Sequence, residues 1–255
     1  MITPHSFAFG QPLRIVEQAD RRPKKVFVLG VYASAVHAHW IGPDGKEKVR
    51  ALAVASEPYI FWRGDGAEEI IAGITVPPAV GKLVPAAAEF NGPSGMALDR
   101  LFLEPLGLSR DEAWLCDLVP HSCMNPSQRE AIKRAYAPRM QEHGLPEVSI
   151  PAVPAQLADD GRRKAILKEL IESQAETLIL LGDQPIRWFL SSFDSRWQRL
   201  SDFQPYGAEH EVQLDGRRLR VLPLAHPRQV AKLGQSSKEW YERHKGWVDS
   251  KRNGH

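Results

Sequence analysis

The run KKVFVLGVYAS, residues 24–34, decides the fold. Four consecutive apolar residues that end at a glycine read as a central parallel strand, buried on both faces and opening into a loop at its carboxyl end. A strand is therefore expected over about 25–29, with GVYASAVHAHW, residues 30–40, as the loop. Similar runs recur downstream. PSGMALDRLFLEPLG (93–107) places Met96, Leu98, Leu101, Phe102 and Leu106 near one helical face, and SRDEAWLCDLVP (109–120) leads from a capping serine into a strand over about 113–119. After a proline-rich connection come an amphipathic helix in GRRKAILKELIESQAE (161–176), a buried strand in TLILLG (177–182), and a helix in DQPIRWFLSSF (183–193) with proline in its first turn. EVQLDGRRLRVLPLAHP (211–227) reads as a hairpin turning at Asp215–Gly216. A polar helix over about 237–249 ends the series.

Strands alternating with helices imply a mostly parallel sheet covered on both faces, a three-layer α/β/α fold. VRALAVASEPYIFW (49–62), between the turns GPDG (42–45) and RGDG (63–66), has room for one or two strands and reads as an insertion over about 41–88. With neither internal repeat nor linker composition, 1–255 is expected to be a single domain. Ligands bind at the carboxyl ends of strands in such sheets. Three loops therefore stand out: GVYASAVHAHW, CDLVPHSCMNP and AHPRQ.

The chain has 255 residues, 33 basic and 31 acidic, for a formal charge of +2. Attraction to phosphate must therefore come from local clusters rather than from net charge. RRPKK (21–25) is one such cluster, although a charge run before a strand is ordinarily just solvated. Cys116 and Cys123, seven apart and without a CxxC partner, argue against a zinc ribbon, an iron–sulfur cluster and a secreted disulfide framework. With no apolar leader core and no uncharged apolar run of about 18 residues, the protein is expected to be cytoplasmic, neither exported nor in a membrane. His37 and His39, spaced i, i+2, have no evident third ligand, so neither a metal nor any other cofactor is expected.

The order of these pieces resembles the uracil-DNA glycosylase superfamily, especially its thermophile-type iron–sulfur branch. The resemblance lies in FNGPSG (90–95), the leucine-rich helix, GLSRDE (107–112), the strand ending near Asp117, TLILLGDQPIRWFL (177–190) and VLPLAHPRQV (221–230). It covers most of the chain from Lys25 onward, apart from about 41–88. It implies that Phe90 stacks on an extruded base, that Asp117 reads the base edge, and that His226 donates toward a pyrimidine carbonyl oxygen as negative charge develops there. Gly30 and Val31 would lie against the base. Tyr32 and Ser34 occupy the loop that positions water in the relatives, and Arg228, Gln229 and Ser122 would contact the nucleic acid. The implied partner is DNA carrying a damaged base, and the implied activity is base excision by hydrolysis of the N-glycosidic bond. An inactive nucleic-acid or base reader is the alternative.

This chain departs from that pattern at three places. Val31 and Tyr32 stand where the relatives carry a carboxylate or amide, which leaves Ser34, His37 or His39 to substitute. Asp117 stands in place of an asparagine: an amide satisfies N3–H and O4 of uracil together, whereas an ionised carboxylate only accepts. Asp117 is therefore expected to be protonated in an apolar pocket or to face a base that presents donors. The cluster cysteines are missing, so no iron–sulfur cluster is expected.

Overall fold

The computed structural model describes residues 5–231 and 238–253. Met1–Pro4 and Ser237, the residue expected to open the last helix, lie outside them. The strands are β1 (Val26–Tyr32), β2 (Ala35–Ile41), β3 (Glu47–Ser56), β4 (Lys82–Pro85), β5 (Ala113–Val119), β6 (Thr177–Leu181), β7 (His210–Leu214) and β8 (Arg217–Leu224). Among the described residues they form one sheet in the order β5-β1-β6-β8-β7 and another in the order β3-β2-β4.

The chain divides into two compact units. One holds the described residues up to Val16, Ala33–Pro93 and His121–Pro154; the other holds Glu17–Tyr32, Ser94–Pro120 and the described residues from Ala155 on.

The second unit is α/β, with a mostly parallel central sheet flanked by helices, as the three-layer expectation requires. Strands β1, β5, β6 and β8 are parallel, and only β7 runs antiparallel, against β8. Every residue of β5 and β6 is buried, which explains why both are written as largely apolar runs, interrupted in β5 by Asp117. Phe27 on β1 and Trp114 on β5 are register partners with stacked rings, 6.4 Å between centroids. The outer edge of β5 is not left bare, because the Leu115 N–H donates to Gln18 Oε1 at 3.1 Å. Helix Asp160–Ser173 begins where the Asp159 carboxylate accepts the Arg162 N–H at 2.8 Å. The hairpin turns at Asp215 and Gly216, with φ of 49° and 78°, the two positive values that a type I′ turn demands.

In the first unit the stretch expected as a loop is largely strand: β2 pairs with β3 on one side and β4 on the other, both antiparallel. Its alternation of buried and part-buried residues is the signal of a half-covered strand. The proline-rich connection also holds helical turns, over Pro126–Ala131, Ile132–Tyr136 and Ala137–His143. They deliver Tyr136 to the core, edge-on to Phe9 at 5.2 Å, with its hydroxyl accepting the Phe9 N–H and donating to the Pro146 carbonyl, both at 2.9 Å.

FNGPSG has a local structural explanation. Buried Asn91 accepts the His37 N–H through Oδ1 at 2.8 Å and returns a bond from Nδ2 to the His37 carbonyl at 2.9 Å. Gly92, at φ 75°, lets the backbone cross Arg63–Gly64 so closely that a Cβ would sit 2.0 Å from the Arg63 carbonyl carbon. Gly92→Ala is therefore expected to cost more than about 3 kcal/mol, combining overlap with backbone and a strained φ. Urea unfolding of the variant measures it, and a loss below about 1 kcal/mol would show that the crossing can open.

Candidate functional site

The strand order places the candidate site. From β1 the chain proceeds to β5 on one side, then crosses to β6 on the other side and continues outward to β8. Connections therefore diverge around the carboxyl ends of β1 and β6, the switch point at which open α/β sheets leave a crevice for a ligand. Gly30–Tyr32 end β1 and Gly182 follows β6. Asp117 lies near the end of β5, in register with Gly30, and His226 lies just past β8. At a strand spacing of about 4.8 Å, the ends of β5 and β8 stand roughly 14 Å apart.

Gly182 was not singled out from sequence, and it holds the centre of this row. Its φ of 86° and the approach of His226, whose Cβ would lie 3.1 Å from a Cβ on residue 182, both call for glycine. Its N–H donates to the Leu224 carbonyl at 2.7 Å, which ties the ends of β6 and β8 together.

His226 is the N-cap of the turn Pro227–Val230, and its Nδ1 accepts the Arg228 N–H at 3.1 Å. Gln229 Oε1 accepts the His226 N–H at 3.3 Å and completes a capping box. Because Nδ1 is an acceptor, the proton of the neutral ring sits on Nε2, which no described residue accepts. Burial, assisted by the Arg228 charge, pushes the imidazole down to about 4. At neutral pH His226 is therefore an uncharged, fixed-tautomer N–H donor.

Asp117 is 4 % exposed, and among the described residues no hydrogen bond reaches its carboxyl group. Burial pushes this acid from the ordinary 3.8 up to about 7, opposed only by the charge of Arg162. Arg162, also missed from sequence, braces the strand end beneath: its guanidinium donates to the Asp117 carbonyl at 2.6 Å and to the Leu118 carbonyl at 3.1 Å. It also pairs with Glu169 at 3.4 Å, and Glu169 in turn accepts the Trp114 indole N–H at 3.1 Å. In β5 the side chains alternate, so Cys116, touched by Arg162 at 3.2 Å, and Asp117 face opposite ways.

The other expected residues divide between the units. Val31 and Tyr32 remain in β1, half-buried, and bring no carboxylate or amide to the end of that strand. Phe90, Ser34 and Ser122 belong to the first unit. Phe90 is half-buried with the Arg50 guanidinium over its ring at 5.7 Å. Ser34 is exposed and its carbonyl accepts the Ser122 hydroxyl. Ser122 is only 2 % exposed and is enclosed in the fold. RRPKK is neutralised internally: Arg21 pairs with Glu172, Arg22 and Lys24 with Asp20, and Lys25 with Glu112.

Together these features define an α/β protein whose parallel sheet carries, at its carboxyl edge, an uncharged histidine donor and a buried acid. No protein-family model matches the chain, and no curated protein matches it. Among the described residues no helix is long and apolar enough to cross a membrane.

The pH dependence of stability has opposite signs at the two groups. With its folded pKa raised, Asp117 lowers stability as pH rises from about 4 to 7; with its folded pKa depressed, His226 lowers stability as pH falls from about 6.5 to 4. Comparison with Asp117→Asn isolates the first effect. At about 1.4 kcal/mol per pH unit, the variant should gain on the wild type by about 4 kcal/mol between pH 4 and pH 8. Urea unfolding across that range measures the gain, and a gap that stays constant would mean that Asp117 ionises as an ordinary carboxylate.

Proposed function

We propose that this protein is a glycosylase of the uracil-DNA glycosylase type, acting on a uracil or another damaged base turned out of DNA. His226 carries the proposal, as a neutral imidazole whose tautomer is fixed by the Arg228 N–H and whose Nε2–H is left as a donor. Cleavage of the N-glycosidic bond proceeds through an oxocarbenium-like sugar and a departing base that gathers negative charge on its carbonyl oxygen. A fixed donor at that oxygen stabilises the transition state more than the ground state, because the charge it meets is present only there. The bond between C1′ and the base nitrogen breaks with its electron pair going to the base. Water then adds at C1′ and loses its proton.

Asp117 supports a base-reading role through its protonation state. As the neutral acid it donates through O–H and accepts through C=O, the pairing that the O4 and N3–H of a uracil edge require. As the carboxylate it only accepts, and it then favours an edge that presents two donors. Extruding the base costs a few kcal/mol of stacking and pairing, least for a base already mismatched or damaged. The ordered motifs from FNGPSG to VLPLAHPRQV support the same assignment. Val31 and Tyr32 favour a second reading, that of a non-catalytic base reader, because neither side chain activates water as a carboxylate does.

Base release from oligonucleotides carrying uracil, hypoxanthine, xanthine and related lesions separates the two. For a glycosylase, release from at least one lesion should fall on the order of 100- to 1,000-fold in His226→Ala. Binding without release, weakened by the same substitution, establishes the reader; neither release nor binding for any lesion removes both. Asp117→Asn should relieve any loss of uracil recognition above pH 7, measured as relative affinity for uracil and cytosine across pH 5.5–8.5. An unchanged profile would exclude Asp117 from the base edge.

A further inference from the structure

A second buried histidine lies behind this site and takes no part in the proposed chemistry. His244, 2 % exposed on the helix Lys238–Asn253, donates from Nε2 to the Leu101 carbonyl at 2.8 Å. Its Nδ1 is 2.7 Å from the Tyr206 hydroxyl, and that oxygen also lies 3.0 Å from the Ala225 N–H, one residue before His226. With the imidazole neutral, only one assignment of protons satisfies all three bonds. The Ala225 N–H donates to the tyrosine oxygen, the tyrosine O–H donates to Nδ1 of His244, and Nε2–H of His244 donates to Leu101. Such a series is polarised in one direction, so each bond strengthens its neighbours. It joins four separate stretches of chain: the leucine-rich helix, the loop before β7, the end of β8 and the last helix.

Packing leaves the network little freedom. The His244 ring lies 4.5 Å from Phe102 and 5.1 Å from Trp247, while Trp240 approaches Tyr206 at 5.8 Å. Gly207 is held at φ 75° with the Trp247 ring against it, so close that a Cβ would meet Cδ1 at 2.2 Å. Among these aromatic neighbours His244 is held neutral by burial, and the Tyr206 phenol is pushed up for the same reason.

We propose that Tyr206 and His244 are positioning residues for His226, fixing the peptide of Ala225 so that the imidazole after it is held in place at the carboxyl edge of the sheet. This inference rests on the reading of His226 as the donor to the departing base. Neither residue touches the base; both act through the backbone at the end of β8. A misplacement of about 1 Å in a catalytic group costs about 100-fold in rate, and removing one anchor of three should cost part of that.

The test compares wild type, Tyr206→Phe and His244→Gln, the last keeping both an acceptor for the tyrosine and a donor for Leu101. In the full-length protein, 15N NMR of the His226 imidazole reports its tautomer and pKa directly, with or without base release. Wild type should titrate near 4. In Tyr206→Phe the His226 pKa should move up toward the ordinary histidine value as its segment loosens, and in His244→Gln it should stay near that of wild type. Base release, where present, should slow about 10- to 100-fold in Tyr206→Phe through kcat, with KM little changed. A Tyr206→Phe protein that folds with the His226 spectrum and pKa of wild type overturns the inference, whatever its activity. If Tyr206→Phe fails to fold, His244→Ala takes its place in the same measurement. A shifted His226 pKa in a protein that releases no base keeps the positioning role and removes only the glycosylase reading.

Discussion

Complete burial of β5 and β6 constrains everything else in the parallel-sheet unit. A strand covered on both faces has no place for a charge in its interior, so polar side chains collect at the carboxyl edge, where the helices diverge. Asp117 stands third from the end of such a run, and among the described residues no hydrogen bond reaches its carboxyl group. Arg162 satisfies the carbonyl groups beneath it without reaching its carboxyl group. The sheet thus tolerates this acid by keeping it neutral over much of the working pH range, the ordinary response of a buried carboxyl group.

The same burial acts on the histidines with the opposite sign. His226 and His244 are both held neutral, and in each the backbone or a hydroxyl determines which nitrogen keeps the proton. The result at the sheet edge is an uncharged imidazole, His226, with a fixed tautomer, whereas the Nε2–H of His244 is already given to the Leu101 carbonyl.

Much of the parallel-sheet unit was legible in the sequence because its signals are local. Continuous apolar runs, a Ser109 cap three residues before Glu112, and Asp-Gly between two alternating stretches each follow from steric and hydrogen-bonding rules spanning a few residues. The strand over 113–119 and the hairpin at 215–216 appear where those rules place them. The antiparallel unit was harder to read. β2 begins only two residues after β1 ends, so the glycine that closes a buried strand was followed by a second strand rather than an open loop. The turns of helix over 126–143 were hidden among prolines and become stable through Tyr136 in the core, a contact with Phe9 across 127 positions of sequence.

For the site, sequence alone determined the residue types at the strand ends: an aspartate after one apolar run, a glycine after another, and histidine–proline after a third. Their number and order follow from local apolar patterning, which a single sequence displays in full. Tertiary structure decided what those residues are. Strand order made β1 and β6 neighbours and so set Asp117 and His226 on either side of their carboxyl ends. The close approach of Gly182 and His226 joined two loops more than 40 residues apart. Long-range burial then set the protonation of Asp117, His226 and His244, because desolvation depends on what packs against a group in space, and no short stretch of chain contains that information.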